Sequence, residues 1–359
     1  MSEDSGRHDR LSLPEQTPAR CLTQRLIRPW DGPRPATVLC MSDNQMLVLN
    51  RADLVSLGLT WKEIIDVLED AFQQKAQGLV QNPPKPKVTS RGDSAFIHAM
   101  PAYLGGSDKI GIKWVAGYEG NHEKGLPYIY GAVIMNDSET GRPIALLDGG
   151  WITEMRTPGV SGVTMRHVPG DPKHLAIVGC GLQGRRHLEV ALEVHPGLTH
   201  VTGYDYVDGA AQQLLDNAGD RVTRVADSPT DAVAGADLVV TTITVPLDPK
   251  IDCANTDPNA LLLPVDYDDA MAQAAFDDAV IYSVDDPGQY NSVADRLYFF
   301  GLPKPTTDLA SVVSGKVEVP STGRRMFLNM GIAMDDVALS SLVLDRAAVA
   351  GTGRYIDFP

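Results

Sequence analysis

Residues 174–188, HLAIVGCGLQGRRHL, combine an apolar run with three closely spaced glycines, Gly179, Gly181 and Gly184. The apolar run favours a β-strand, and a helical pattern follows the last glycine. In such a unit the first glycine allows a tight turn, the second lets a pyrophosphate approach the backbone, and the third lets the helix pack on the strand. Free N–H groups at the helix start then bind the phosphates. The stretch therefore predicts a dinucleotide-binding turn.

An acidic residue stands where the ribose of a dinucleotide would be held. Asp205 ends the next strand-like run, HVTGYD, at about the 20-residue spacing that such sites show. A carboxylate there accepts a hydrogen bond from the ribose 2′-hydroxyl and repels a 2′-phosphate. We therefore expect NAD as the cofactor, with NADP a poorer fit. The residues expected to contact it are Gly179, Gly181, Leu182, Gln183, Gly184, Asp205, Thr157, Thr242, Thr244 and Val265.

Strand-like and helical patterns alternate from residue 174 onward, which predicts parallel βαβ units. Upstream, residues 88–150 contain short β-prone runs separated by Gly, Asn and Asp turns. After about residue 320, RMFLNMGIAMDDVALSSLVLDRAAVAG has a long helical pattern that we expect to return to the β-rich part. We predict an α/β fold with a flexible N-terminal extension over 1–38, a β-rich α+β substrate domain over 39–170 plus 321–359, and a Rossmann-type dinucleotide-binding domain over 171–320.

Composition narrows the classes of function. The chain has 359 residues and a formal net charge of −15, so we expect neither nucleic acid nor an anionic membrane surface as a partner. The four cysteines form no CxxC pair and no Cys/His cluster with zinc spacing, so we expect no metal site. The start of the chain lacks the layout of a signal peptide and no long apolar run occurs. We therefore expect a cytoplasmic protein.

Two cations stand in surroundings where a charge is costly. Lys113 alternates with apolar residues in GIKWV, and Arg156 lies among small and apolar neighbours in ITEMRTPGVSG. Burying either cation is unfavourable unless a carboxylate or an anionic ligand pairs with it. The forked guanidinium suits a carboxylate. The pattern leaves open an ordinary ion pair or a substrate contact for each, and a core residue or a proton carrier for His98 in FIHAM.

Taken together, these motifs resemble the ornithine cyclodeaminase/mu-crystallin family over about residues 46–350. The most specific are KWV at 113–115, TGRPIALLDG at 140–149 and ITEMRT at 152–157, upstream of GCGLQG at 179–184. The resemblance implies a β-rich domain that binds the substrate and forms a homodimer, and a Rossmann domain that binds the nicotinamide nucleotide. It also implies hydride transfer between an amino-acid α-carbon and nicotinamide, through an imine.

The resemblance implies roles for particular residues. Lys113 matches the family lysine beside the reacting centre, and Arg156 matches the arginine that binds the substrate carboxylate. Where the family commonly has a further arginine this chain reads PPKPKV, so Lys85 or Lys87 takes that place as a point charge. His98 is a further candidate contact with the substrate.

The family acid/base aspartate falls in LLLPVDYDDAM, where the register favours Asp268 and leaves Asp266 as the second choice. Cyclodeaminases typically continue there with Gly-Gly-Asp-x-Pro-Gly-Lys-Thr-Glu-Leu, a run that this sequence lacks. We therefore predict an NAD-dependent amino-acid dehydrogenase or an imine or ketimine reductase. Two alternatives stay open: a cyclodeaminase of ornithine or lysine that recycles NAD, and a crystallin-like NAD(P)H-dependent protein that binds a small molecule with little turnover.

Overall fold

The computed structural model of the chain describes residues 44–90 and 95–358, with the backbone alone at residue 122. The extension predicted over residues 1–38 lies outside these ranges, as do Cys21 and Cys40. The strands are β1 (Gln45–Leu49), β2 (Val80–Gln81), β3 (Lys87–Val88), β4 (Ala95–Leu104), β5 (Lys109–Tyr118), β6 (Ile129–Asn136), β7 (Pro143–Asp148), β8 (His174–Val178), β9 (His200–Tyr204), β10 (Val222–Val225), β11 (Leu238–Thr241), β12 (Leu261–Pro264), β13 (Ile281–Val284), β14 (Thr307–Asp308), β15 (Arg325–Leu328) and β16 (Arg354–Asp357). The helices are α1 (Arg51–Ser56), α2 (Trp61–Ala76), α3 (Gly149–His167), α4 (Leu182–Val194), α5 (Ala210–Leu215), α6 (Pro229–Ala232), α7 (Gln273–Asp277), α8 (Pro287–Val293), α9 (Leu309–Val313) and α10 (Ala333–Ala350), with a 3₁₀ turn at Glu119–Lys124.

The first sheet is mostly antiparallel. Its strand order is β16-β1-β7-β6-β5-β4-β2, and β3 also pairs with β4. In the long ladder of β4 with β5, Met100 lies opposite Lys113. Because successive side chains of a strand point to opposite faces, Lys113 and Val115 face the interior while Trp114 between them is 50% exposed. The buried face of this sheet thus carries a lysine into the core.

The second sheet is parallel throughout, in the order β10-β9-β8-β11-β12-β15-β13-β14. This is the predicted βαβ arrangement, with the strand order reversing between β8 and β11. Sheets of this kind bind ligands at that switch point, outside the carboxyl ends of the strands. Here the Thr242 hydroxyl, just past β11, donates to the Gly179 carbonyl at 2.6 Å and ties the two strand ends together.

Helices α3 and α10 pack against the first sheet, against each other and against α2. Helix α3 is capped by the Asp148 carboxylate and packs on α2 and α4, with Gly159 and Gly162 at the close approaches. Helix α10 lies on the buried face of β4 and β5 and carries Asp335 and Asp336 in its first turn. No helix within 44–90 and 95–358 is long and apolar enough to cross a membrane.

The first part of the C-terminal segment, which the sequence predicts to be helical, has a different structure. RMFL at 325–328 is not helical but forms β15, between β12 and β13 of the parallel sheet. A short, fully apolar run cannot be assigned to strand or helix by periodicity alone, and α10 begins only at Ala333. The parallel sheet therefore continues past residue 320, where the sequence places the boundary between the domains.

We predict that Gly149→Ala destabilises the fold. A Cβ at Gly149 would lie 2.6 Å from the Ala132 nitrogen and the Gly131 carbonyl carbon, so the start of α3 would have to move off β6. Overpacking of this kind costs about 1–3 kcal/mol of unfolding free energy, measurable by urea denaturation. Gly120→Ala is the control, because a Cβ there meets no atom within 4 Å. Equal unfolding midpoints for the two variants would contradict the prediction.

Candidate active site

A cavity of about 560 Å³ lies where the buried face of the first sheet meets the carboxyl ends of the parallel strands. Its walls come from β4, β5, α3, α8 and the segments that follow β11 and β12. The charged side chains that line it are Lys85, Lys87, Lys113, Arg156, Asp266 and Asp269. The structure thus brings together most of the residues that the sequence nominates for substrate binding and catalysis.

Lys113 and Arg156 share one buried carboxylate. The Lys113 ammonium lies 2.5 Å from Oδ1 of Asp336, and Nε of Arg156 lies 3.4 Å from the same oxygen. Burial lowers the pKa of Lys113 to about 8, against the opposing effect of Asp336. Arg156 is only 8% exposed, yet its Nε makes no hydrogen bond, and its guanidinium donates none to a residue within the described ranges. A buried guanidinium with free donors is suited to an anionic ligand.

Lys85 lies close to this group. Its ammonium donates to the carbonyls of Met330 and Gly331 at 3.0 Å each, and burial together with nearby Arg156 lowers its pKa to about 8. On the other side of Gly331, the Asp285 carboxylate accepts a hydrogen bond from the Gly331 N–H at 2.7 Å. Lys85 is thus held by carbonyls and not by a carboxylate, which leaves its charge available to a ligand.

Two further buried carboxyls lie behind the cations. Burial raises the pKa of Asp285 to about 6 and that of Asp335 to about 8. Near neutral pH the Asp335 carboxyl is therefore largely protonated. Asp285, with the lower pKa, is mostly ionised and together with Asp336 offsets two of the three cations Lys85, Lys113 and Arg156, so the interior of the cavity favours an anion.

His98 lines the cavity as a neutral side chain. Its Nδ1 lies 3.1 Å from the Pro86 carbonyl, and because a carbonyl only accepts, Nδ1 carries the proton. Burial and the charge of Lys85 lower the pKa of His98 to about 4. Nε2 is therefore a hydrogen-bond acceptor near neutral pH and can receive an N–H group of a ligand.

Asp266 lies at the carboxyl end of β12 and lines the cavity. Its Oδ1 accepts from the Thr241 hydroxyl at 2.8 Å, and its Oδ2 accepts from the Ile243 N–H at 3.0 Å. Burial nevertheless raises the pKa of Asp266 to about 7. A carboxyl that titrates near neutral pH can both take and give a proton during a reaction.

Asp268, which the register favours, occupies a different place. It is not among the residues that line the cavity, and its carboxylate lies 3.8 Å from the Lys250 ammonium. Strand β12 ends at Pro264, and Tyr267 adopts a left-handed φ of 63°. The strand register therefore does not continue to Asp268, and the geometry favours Asp266 over it.

A second cavity, of about 580 Å³, adjoins the first. Tyr128, Ile129, Thr153 and Thr244 line both. The second cavity is also lined by the predicted cofactor residues Gly181, Leu182, Gln183 and Thr242. The two cavities thus meet at a shared wall, beside the glycine turn.

The glycine turn has the geometry that its sequence predicts. Gly179 adopts φ +94°, and a Cβ at Gly184 would lie 2.1 Å from the Gly179 carbonyl oxygen. A Cβ at Gly181 would meet no atom within 4 Å, and this residue caps α4 without a side-chain hydrogen bond. The first N–H groups of α4 are therefore free to bind a phosphate group.

The remaining cofactor candidates fall in different places. Asp205 accepts from the Cys180 N–H at 2.6 Å and from the Val207 N–H at 2.9 Å, and each oxygen keeps a further lone pair for a ribose hydroxyl. Val265 lines the first cavity. Thr157 lines neither cavity, and its hydroxyl donates to the Thr153 carbonyl within α3 at 2.8 Å.

Sequence reasoning missed the acids behind the cations, Asp285, Asp335 and Asp336. A signal existed for the last two, since they stand together inside the apolar pattern GIAMDDVAL. No group of three or more His, Cys, Asp or Glu side chains in the part of the chain that the structure describes is arranged to hold a metal ion.

A parallel sheet with an open glycine turn at its switch point defines the Rossmann class of dinucleotide-binding folds. Within that class, the chain belongs to the ornithine cyclodeaminase/mu-crystallin family, whose sequence model matches residues 45–351. The resemblance and the fold class predicted from the sequence are thereby confirmed.

Several relatives match the chain over most of its length. The nodulation efficiency protein NfeD of Rhizobium meliloti is 29% identical, over 86% of this chain and 98% of its own. The alanine dehydrogenase of Archaeoglobus fulgidus is 27% identical, over 88% and 99% respectively. Among solved structures, the Δ1-pyrroline-2-carboxylate reductase of Thermococcus litoralis, in complex with NADH and L-proline, is 25% identical with a TM-score of 0.79, and the match covers 86% of this chain and 99% of the reductase.

We predict that Asp336→Asn strongly destabilises the protein. The change removes the only carboxylate within 4 Å of Lys113 in the described ranges, and leaving a buried charge unpaired costs about 3–5 kcal/mol. Asp345→Asn in the same helix is the control, with an expected effect within about 0.5 kcal/mol. Chemical denaturation of both variants measures the difference. Similar stabilities would show that Asp336 does not hold the buried cations.

Proposed function

We propose that this chain is an NAD-dependent oxidoreductase that transfers a hydride to or from the α-carbon of an amino acid or the corresponding imine. The observation that carries the proposal is the buried Arg156, whose free donors face a cavity that adjoins the glycine turn. A guanidinium fork is suited to a substrate carboxylate. The relatives support the proposed reaction, since one is an alanine dehydrogenase and another is a reductase whose structure holds NADH and L-proline.

The residues present fit the dinucleotide. The free N–H groups at the start of α4 would bind its pyrophosphate, with open space at Gly181. Asp205 would accept from the ribose hydroxyls, which favours NAD over NADP. Thr244 lies on the wall shared with the cation-lined cavity, and Thr242 lines the cofactor side only. When bound, the nicotinamide supplies the hydride acceptor or donor.

The cations orient the substrate. Arg156 and Lys85 bind the α-carboxylate, because both line the cavity and neither donates a hydrogen bond to a carboxylate of the described residues. Lys113, held by Asp336, places a third positive charge at the reacting centre and stabilises negative charge that develops there. His98 accepts a hydrogen bond from the substrate nitrogen through Nε2. Together these groups fix the orientation of the α-carbon.

Asp266 moves the proton. In the oxidative direction it takes a proton from the substrate amine or from the attacking water, and in the reductive direction it returns one. Its pKa of about 7 suits both tasks. The hydrogen bonds from Thr241 and Ile243 hold the carboxyl in place while it does so.

The first sheet also offers a surface for a second copy of the chain. Its outer face carries adjoining apolar side chains on β4, β5, β6 and β7, with Trp114 50% and Ile134 37% exposed. An extended apolar patch of this kind usually marks an interface. We infer a homodimer through this face, which sedimentation velocity tests.

A cytoplasmic location follows from the proposed need for an intracellular nicotinamide cofactor.

An assay with two readouts tests the proposed function. The chain is incubated with NAD⁺ and a panel of L-amino acids, and NADH and ammonia are followed together, with NADP⁺ in parallel as the poorer cofactor. We expect both products to rise. Ammonia without NADH would instead mean cyclodeamination with recycled cofactor. The reverse assay supplies NADH with cyclic imines, or with a keto acid and an amine. If neither direction shows turnover, the chain is a binding protein and not an oxidoreductase.

We predict a bell-shaped pH dependence of kcat/KM for amino-acid oxidation, with its maximum between about pH 7 and 8. Below pH 7 activity falls because Asp266 becomes protonated and cannot accept a proton. Above pH 8 it falls because Lys113 and Lys85 lose their charge. Steady-state kinetics over about four pH units, centred on the expected maximum, measure the acidic and the basic limb of this profile.

Asp266→Asn should remove the acidic limb and lower kcat by about 100-fold or more. Asp268→Asn is the matched control, since that carboxylate lies beside Lys250 and not in the cavity. Loss of the acidic limb in Asp268→Asn, with the limb kept in Asp266→Asn, would restore the assignment that the sequence register favours.

A further inference from the structure

The cavity is lined by a fourth cation, Lys87, besides the three that surround the proposed α-carboxylate site. Lys113 and Arg156 already share Asp336. Lys85 is held by two carbonyls. The Lys87 side chain is exposed and makes no hydrogen bond or ion pair with any residue of the described ranges. A substrate with a single carboxylate, bound at Arg156 and Lys85, would leave the Lys87 ammonium in contact with solvent only.

Lys87 is set apart from the α-carboxylate site by the register of the sheet. It pairs with His98 across β3 and β4, whereas Lys113 pairs with Met100 across β4 and β5. His98 and Met100 are two residues apart on β4, a rise of about 7 Å. The Lys87 ammonium therefore serves a different part of the cavity from the one that Lys113 and Arg156 serve.

The backbone around Lys87 limits its freedom. Residues 83–87 read PPKPK, and a proline restricts both its own φ and the residue before it. Strand β3 then pairs Lys87 and Val88 with β4. The Lys87 side chain remains flexible, but its backbone position is fixed. Its ammonium group therefore stays near the wall of the cavity that β3 forms.

No described carboxylate forms an ion pair with Lys87. Its cross-strand neighbour His98 is uncharged near neutral pH, because burial and Lys85 lower its pKa. The two carboxyls that line the cavity, Asp266 and Asp269, have pKa values raised by burial, and neither lies within 4 Å of the Lys87 ammonium. Phe96, Tyr298 and Leu297 supply apolar walls. Lys87 is thus a cation beside apolar surface that lacks an ionic partner in the described chain.

We propose that the substrate carries a second carboxylate and that Lys87 binds it, while Arg156 and Lys85 bind the α-carboxylate. This inference rests on the proposed function and narrows its substrate class. The second carboxylate can belong to the side chain of an acidic amino acid or imino acid. It can also belong to a carboxyalkyl group on the amine nitrogen, as in a secondary amine formed from an amino acid and a keto acid. The shared chemistry is a dicarboxylate with one oxidisable C–N bond.

Pairs of substrates that differ only in the second carboxylate test the inference and separate its two sources. L-aspartate against L-asparagine and L-glutamate against L-glutamine test the side-chain source. N-(1-carboxyethyl)-L-alanine against N-isopropyl-L-alanine tests the nitrogen substituent. In NAD⁺-linked assays we expect kcat/KM to favour the dicarboxylate at least tenfold in one set of pairs, which is about 1.4 kcal/mol of discrimination.

Lys87→Met removes the charge and keeps the length of the side chain. We expect it to lower kcat/KM for the preferred dicarboxylate about tenfold and to leave the neutral partner of the pair within about twofold. Lys87→Glu should turn the preference towards substrates with a distal amine, such as L-ornithine. Lys304→Met is the matched control, because Lys304 is also exposed and also follows a proline but does not line the cavity.

The outcomes distinguish this inference from the proposed function. Turnover of monocarboxylate amino acids with no preference for dicarboxylates would overturn the inference and keep the function. An equal loss on both members of a pair in Lys87→Met would also overturn it. If no substrate turns over in either direction, thermal stabilisation of the NADH-loaded chain decides. Dicarboxylates must then stabilise the wild type more than their neutral partners do, and must lose that advantage in Lys87→Met.

Discussion

The buried carboxylate of Asp336 is the constraint on which the site depends. It accepts from Lys113 of the first sheet and lies beside Arg156 of α3, so three separate elements meet at one oxygen. Two cations brought together in a dry interior repel each other and lose their hydration, and without an anion the arrangement would be strongly unfavourable. The position of Asp336 in the first turn of α10 adds to its stabilisation, because helix N-termini favour negative charge.

The same carboxylate explains why the site is ready for an anionic ligand. One carboxylate cannot neutralise both Lys113 and Arg156, and Lys85, held by carbonyls, adds a third cation that Asp285 offsets. Asp335, which could have balanced the charge, is a weaker acid because it is buried. The residual positive charge thus lies inside the protein, where low polarity strengthens its attraction for a carboxylate. Asp336 thus stabilises the buried cations, and the positive charge that it leaves unbalanced attracts the ligand.

Much of the fold could be predicted because its signals are local. The glycine turn, the Thr60 cap of α2 and the alternation of strands and helices each depend on a few neighbouring residues. The fold of 325–328 could not, since RMFL becomes a strand only through pairing with β12 and β13, far away in the sequence. Lys113 could be singled out because a lysine in an apolar strand is conspicuous. Its partner was harder to find, because an acid near a helix start is ordinary and usually exposed.

The choice between Asp266 and Asp268 shows where prediction by register ends. Counting along a strand assumes that the extended backbone continues, and each residue then points to a known face. The left-handed conformation of Tyr267 breaks that assumption between the two aspartates. Asp266, still attached to the end of β12, is held by Thr241 and Ile243 from the neighbouring strand end and faces the cavity. Asp268 lies beyond the turn, next to Lys250. A non-glycine residue that turns left-handed leaves no simple mark in the sequence, so only the folded backbone separates the two carboxylates. What distinguishes Asp266 is therefore its attachment to the sheet, which holds a titrating carboxyl at a fixed place beside the substrate cavity.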